Sequence, residues 1–215
     1  KENGFRCYQF FEGRDELFLS YRIKFGAGFD PVKGGKLPSL KAGYSPGAGD
    51  CPNGTDYFTG RMMFKGSYNQ PFPVFYLYHP EQWNTTWYRD AYHWASGGEY
   101  PTSCDDFFEP DIYEKLGGVY GDTRQWDVQL EAGEWYTLTE RIVANTPGVR
   151  NGIAEGFIDG QLVYQASDMR FRDIDSLKID HIDFSAFFGG SGDSWATKKT
   201  EYMYIDDVLI YDYPD

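Results

Sequence analysis

Glu16–Phe25 reads ELFLSYRIKF, and its alternation decides the fold: Leu17, Leu19, Tyr21, Ile23 and Phe25 fall on one side of an extended chain, mostly polar residues on the other. That period of two predicts a strand with one face in a core. Working outward, Glu134–Val143 (EWYTLTERIV), Ile179–Phe188 (IDHIDFSAFF) and Glu201–Tyr211 (EYMYIDDVLIY) read as further strands, the last two separated by the turn at 189–195. Ile153–Tyr164 (IAEGFIDGQLVY) predicts a hairpin, because Asp159-Gly160 supplies the positive φ angles of a type I′ turn. Many antiparallel strands with few helix signals predict an all-β fold, an antiparallel β-sandwich (jelly roll) in one domain over residues 1–215. In such folds one sheet is often curved, and its concave face is a groove suited to a chain-like ligand.

Composition agrees and narrows the function. Aromatics make up 19% of the chain and glycines number 25, the mixture of short strands and tight turns. A formal charge of −13 argues against nucleic acid, since phosphate backbones need a basic surface. Between Asp30 and Lys65 the balance reverses locally: Lys33, Lys36, Lys41, Arg61 and Lys65 face only Asp30, Asp50 and Asp56. An acidic protein with a basic strip can still capture an acidic polymer. No run of about 18 apolar residues suggests a membrane span, and we expect a monomer. The chain starts at Lys1 without Met or an apolar leader, the expectation for a processed, secreted product. The sequons Asn53-Gly54-Thr55 and Asn84-Thr85-Thr86 fit that reading. Cys7, Cys51 and Cys104 allow one disulfide in three pairings, and no zinc-type spacing is present.

Phe72–His79 (FPVFYLYH) places Tyr76 and Tyr78 on one strand face with Val74, while Phe75 and Leu77 point to the core. Tyr57–Phe64 (YFTGRMMF) puts Thr59, Arg61 and Met63 together, and Gly34-Gly35-Lys36-Leu37-Pro38 reads as a glycine-rich connection that presents Lys36. An ordinary aromatic ladder is the competing reading of the tyrosines. The long stretch from His79 to Asp127 carries Trp83, Trp87, Tyr88, Tyr92, Trp94 and Tyr100 as stacking candidates or as rings that close a core. Of the three histidines, His79 should face away from the tyrosines, and His181, between Asp180 and Asp183, reads as structural. Glu2, Asp206 and Asp207 are candidates for a structural calcium, against the alternative of a solvated acidic edge.

Several stretches in order, YRIKFGAGFDPVKGGKLPSL (Tyr21–Leu40), the Arg61 strand, Tyr76-Leu77-Tyr78, Gly133-Glu134-Trp135 and FFGGSGDSWATKKTEYMYIDD (Phe187–Asp207), resemble polysaccharide lyase family 14, the alginate and polyglucuronate lyases. The resemblance implies that Lys36, Arg61, Tyr76 and Tyr78 carry catalysis. Thr59 stands where the family's serine is expected, and the segment from His79 to Asp127 is longer than the family leads one to expect. It further implies an acidic polysaccharide substrate, alginate (polymannuronate favoured) or polyglucuronate. Thr59 from the motif, Lys33 from the basic strip and Trp87 and Trp94 from the aromatic stretch are the candidate substrate-binding residues.

A uronate lyase removes the C5 proton beside the carboxylate and expels the C4 oxygen, leaving an unsaturated sugar. The intermediate would carry two charges unless donors neutralise it, a role for Arg61 with Thr59 as accessory. A tyrosine near its ordinary pKa of about 10 is protonated at neutral pH, and Lys36 and Arg61 are expected to lower it. We favour Tyr78 as base and acid with Tyr76 orienting, and Lys36 as alternative base or tuning cation. No cofactor is required by this chemistry. The main alternative is a non-catalytic carbohydrate-binding, lectin-like sandwich. A sandwich hydrolase ranks last, because Trp126–Glu131 (WDVQLE) lacks two suitably spaced carboxylates.

Overall fold

The computed structural model describes residues 4–44, 51–84, 96–99, 122–190 and 193–212. Two antiparallel sheets face each other. The larger contains β1 (Gly4–Arg14), β3 (Gly35–Leu37), β4 (Ser39–Gly43), β5 (Tyr57–Thr59), β6 (Met62–Ser67), β7 (Gln70–Leu77), β8 (Asp122–Gln125) and β12 (Ile179–Phe188). The smaller runs in the order β11 (Gln161–Met169), β10 (Gly152–Ile158), β9 (Trp135–Val143), β2 (Glu16–Phe25), β13 (Met203–Tyr211). No helix among the described residues is long and apolar enough to cross a membrane.

The strand that decides the fold is an interior strand of the smaller sheet, between β9 and β13. Its alternating residues Leu17, Leu19, Tyr21, Ile23 and Phe25 all lie in the core between the sheets, where they meet Leu37, Leu40, Phe58, Met62, Phe64, Phe75 and Leu77 of the larger sheet. Burying each leucine, isoleucine, methionine or phenylalanine side chain of this set stabilises by roughly 1.5–3 kcal/mol. The hairpin also forms as read, Asp159 and Gly160 taking φ of 50° and 78° between β10 and β11.

In the larger sheet several short strands are joined end to end. β3 and β4 are separated only by Pro38, which cannot donate to a ladder, and both pair with β12. β5 and β6 are separated by Gly60 and Arg61. Gly60 must lack a side chain, since a Cβ there would stand 2.8 Å from Ile142 of the opposing sheet. The sheet therefore reads, across its width, β1, β12, β4 with β3, β5 with β6, β7 and β8.

One expectation changes, and one strand went unread. Lys36 sits on a strand, not in a glycine-rich connection, because Gly35–Leu37 finds partners on both sides, β12 and β6. The first strand, β1, carries no clean alternation because it is an edge strand, with most of its residues exposed.

Candidate active site

Alternation on neighbouring strands turns one set of side chains away from the core onto the outer face of the larger sheet. Tyr57, Met63, Val74, Tyr76 and Tyr78 form a second apolar cluster there, joined by Phe72 and Trp195. Register brings the candidates together: Lys36 is opposite Met63, Met63 opposite Val74, Lys41 opposite Thr59, and Thr59 opposite Tyr78. The Tyr76 N–H donates to the Arg61 carbonyl at 2.6 Å, which fixes that strand beside the break at Gly60. Tyr76 and Tyr78 share this face, as the alternation predicts, and meet edge to face with centroids 5.5 Å apart. The Lys36 Nζ lies 4.2 Å from the Tyr76 ring centroid and 2.9 Å from the Met63 Sδ, a weak acceptor.

Arg61 is held by a residue that the sequence reading does not single out for the site. Its Nη2 donates to Asp183 Oδ2 at 2.9 Å, and the same oxygen accepts from Lys41 Nζ at 2.7 Å and Arg6 Nη2 at 2.9 Å. Arg6 Nε donates to Asp183 Oδ1 at 3.1 Å, and the Ser185 hydroxyl donates to that oxygen as well. Three cations thus converge on one carboxylate, an arrangement that carries net positive charge. Asp183 and Lys41 are both 1% exposed, whereas Arg61 keeps 13% and forms the rim together with half-buried Lys36.

The electrostatics reverse one expectation. Burial pushes the Tyr78 phenol well above its ordinary pKa, Tyr76 adds to the rise, and only Arg61 opposes it. Its hydroxyl is buried, with the Tyr76 phenol as its polar neighbour. Tyr78 is therefore a neutral acid in the free protein, because desolvation outweighs the one nearby cation. Lys36 moves the other way: burial, then Arg61, Lys65 and Lys41, lower it well below the usual lysine value. Lys41 falls to about 8, its desolvation and Arg61 outweighing the attraction of Asp183. Asp183 sits far below the ordinary carboxylate range: its hydrogen bonds to Arg6, Lys41 and Ser185 and the charge of Lys41 overcome a large burial penalty.

The other predicted residues divide. Thr59 joins the face, 1% exposed, and its Oγ1 accepts from the Tyr78 N–H at 3.3 Å. Lys33 is exposed at the border, bonded to Ser194 Oγ at 2.9 Å and 5.9 Å from the Trp195 ring. Trp87, Trp94, Cys104 and Glu2 lie outside the described residues. His79 turns from the tyrosines to Asp122, 3.1 Å away, and His181 pairs with Asp180 at 2.6 Å. Asp206 and Asp207 occupy an irregularity of β13, with Asp207 3.7 Å from Arg22. No group of three His, Cys, Asp or Glu side chains able to hold a metal occurs among the described residues. Arg6, Asp183 and Ser185 were the residues missed, and Lys41 was read only as part of the basic strip. The signal available was an acid, Asp183, at an even step from His181 on a strand whose other face is apolar.

The polysaccharide lyase 14 family profile matches residues 2–208. No curated protein matches the chain in sequence. Among solved structures, the alginate lyase Aly36B superposes with a TM-score of 0.70 at 23% identity, over 97% of this chain and 74% of its own. The marine PL-14 alginate lyase from Aplysia kurodai gives 0.64 at 23% identity, over 92% and 69%. The endo-β-1,4-glucuronan lyase from the fungus Trichoderma reesei gives 0.53 at 15% identity, over 96% and 74%. These likenesses agree on the sandwich, and the profile spans both sheets and every residue of the site described above. The chain belongs to polysaccharide lyase family 14 and is a polysaccharide lyase.

Proposed function

We propose that this lyase cleaves a uronic acid polymer by β-elimination over the outer face of the larger sheet. The substrate class is supported by the family and by similar structures named as alginate and glucuronan lyases. Within alginate we favour polymannuronate. The observation that carries the chemistry is a pair of titratable groups in one cluster displaced in opposite directions, Lys36 downward and Tyr78 upward. Such a divergence marks a base and an acid.

Lys36, as a neutral amine, takes the C5 proton. The electron pair left at C5 forms the C4–C5 double bond, the bond from C4 to the glycosidic oxygen breaks, and the Tyr78 hydroxyl, buried in the free protein and uncovered as the polymer seats, gives its proton to that oxygen. Lys36 ends as an ammonium and Tyr78 as a phenolate, which are reset by returning the proton. Water is not consumed. Arg61, held by Asp183 and carrying donors beyond the one it commits there, faces the substrate carboxylate as negative charge builds. Thr59 fixes the Tyr78 backbone, and Tyr76 orients the phenol and the amine between which it lies. Lys33 and Trp195 extend the face on one side, and Trp87 and Trp94 remain stacking candidates.

The test is ultraviolet absorbance of the new double bond on polymannuronate, polyguluronate and polyglucuronate. Tyr78→Phe should cut turnover by about 10²–10⁴-fold with polymer binding largely kept, while Arg61→Ala should harm both. Activity should rise with pH through the lowered Lys36 pKa and persist on the alkaline side, because the acid, Tyr78, holds its proton above its ordinary 10. Near-normal rates in Tyr78→Phe would remove the mechanism. We read the protein as secreted and glycosylated at Asn53, whose exposed side chain accepts from the Thr55 N–H and hydroxyl at 2.8 and 2.7 Å. Because Cys7 is free and exposed, we assign the one disulfide to Cys51 and Cys104.

A further inference from the structure

The outer face of the larger sheet continues past Asp183 onto the edge strand β1, where the residues that the cleavage chemistry leaves unused are aromatic. Register places Arg6, Tyr8 and Phe10 opposite Ser185, Asp183 and His181, so all six share the site's face. Tyr8 is 45% exposed and Phe10 65%. The Phe10 ring lies against His181 at 4.9 Å and 32°, which leaves its opposite face to solvent. Tyr8 lies 6.3 Å from Phe10 and 5.7 Å from His181. The Arg6 guanidinium stands 4.9 Å from the Tyr8 centroid and the Lys41 ammonium 5.9 Å.

Large exposed rings on an edge strand are a liability unless something covers them. What covers them is indicated by position and charge. Phe10, His181, Lys41, Thr59 and Tyr78 follow one another across the sheet in a single line of register. With strands about 4.8 Å apart, four steps separate Phe10 from Tyr78 by ~19 Å. A polymer lying across the strands over Tyr78 therefore passes over Phe10 several sugars away. Along that path Arg6, Lys41 and Arg61 outnumber the one carboxylate they share, in a chain whose overall charge is −13. The patch is thus complementary to a chain of carboxylates with apolar sugar faces.

We propose that Tyr8 and Phe10 form a distal subsite that stacks a uronate residue of the polymer several units from the bond broken, with the half-exposed Arg6 facing its carboxylate and Lys41 adding positive charge from beneath. The proposal rests on the lyase reading for the direction of the chain, and deepens it by assigning where long substrates gain affinity. His181 supports one face of the Phe10 ring.

The test is kcat/KM on uronate oligomers of defined length, for the wild type, Phe10→Ala, Tyr8→Ala and the conservative Phe10→Tyr. The ratio of long to short oligomers should fall by about tenfold in the alanine variants and be kept in Phe10→Tyr. An unchanged ratio, or an equal loss at every length, overturns the subsite and leaves only a structural role. Retardation in gels containing polymannuronate or polyglucuronate reads the same surface without turnover, and Phe10→Ala should weaken it. If the wild type made no unsaturated product yet was retarded through Phe10, the lyase reading would fail while the subsite stood. Sedimentation closes the remaining route: a dimer that Phe10→Ala dissolves, with the length ratio unchanged, overturns the subsite in favour of self-association through β1.

Discussion

Asp183 and Glu140 are carboxyls shut off from solvent on opposite sides of the same strand backbone, and their pKa values are displaced in opposite directions. Asp183 is 1% exposed on the outer face, where Ser39 of β4 is its register partner. Glu140, 0% exposed, reaches from β9 across the core and accepts the N–H of Leu40, the next residue of β4, at 2.5 Å. Asp183 accepts from three cations and a hydroxyl and is held ionised. Among the described residues Glu140 has no cation and its Oε2 no partner, and burial pushes its pKa well above the usual value. Burial alone neutralises an acid; burial with paired cations keeps it charged. One layer of backbone thus separates a neutral interior from an ionised working face.

The largest expected break of this contrast is Asp183→Asn. It leaves Arg6, Lys41 and Arg61 crowded with no counter-charge, at a cost of about 3–5 kcal/mol, and frees Arg61 to drift, so turnover should fall with it. Denaturant midpoints and product absorbance measure both. A loss under about 1 kcal/mol, within the range of exposed ion pairs, would mean the cations are held by something else. Glu140→Leu should cost less, about 1–3 kcal/mol, because it strands the Leu40 N–H in the core without removing a charge. The same denaturant series should show no change from a neutral acceptor, so Glu140→Gln should stay within about 1 kcal/mol of the wild type.

The smallest effect, and the sharpest, is the sign of the pH slope. Asp183 titrates lower in the folded state than its ordinary 3.8, so its contribution is complete above that value and is lost as pH falls toward its folded pKa. Glu140 titrates higher than its ordinary 4.5, so the unfolded chain releases its proton first and stability declines as pH rises past 4.5. Glu140→Gln should remove the decline and keep the acid loss, while Asp183→Asn should do the reverse. Parallel curves for the two variants would show that neither carboxyl is set by its surroundings as described.

Much of the site was legible before any coordinates. A period of two is a local property, so Tyr76 with Tyr78, and Thr59 with Arg61 and Met63, could be put on shared faces from spacing alone, and the family motif added Lys36. The direction of the Tyr78 shift was not legible, because desolvation depends on what else covers the ring. Nor was Asp183, which reaches Arg61 across 122 residues of sequence.

The alternation of Glu16–Phe25 and its fellow strands by itself determined that this is an all-β sandwich, and determined which side of each strand is polar. Only the tertiary structure decided which polar sides line up. Strand register brings Lys41 beside Thr59, Asp183 beneath three cations and Phe10 into line with Tyr78. Register is set by pairing between distant segments, and the charge each group carries is set by the neighbours that pairing delivers.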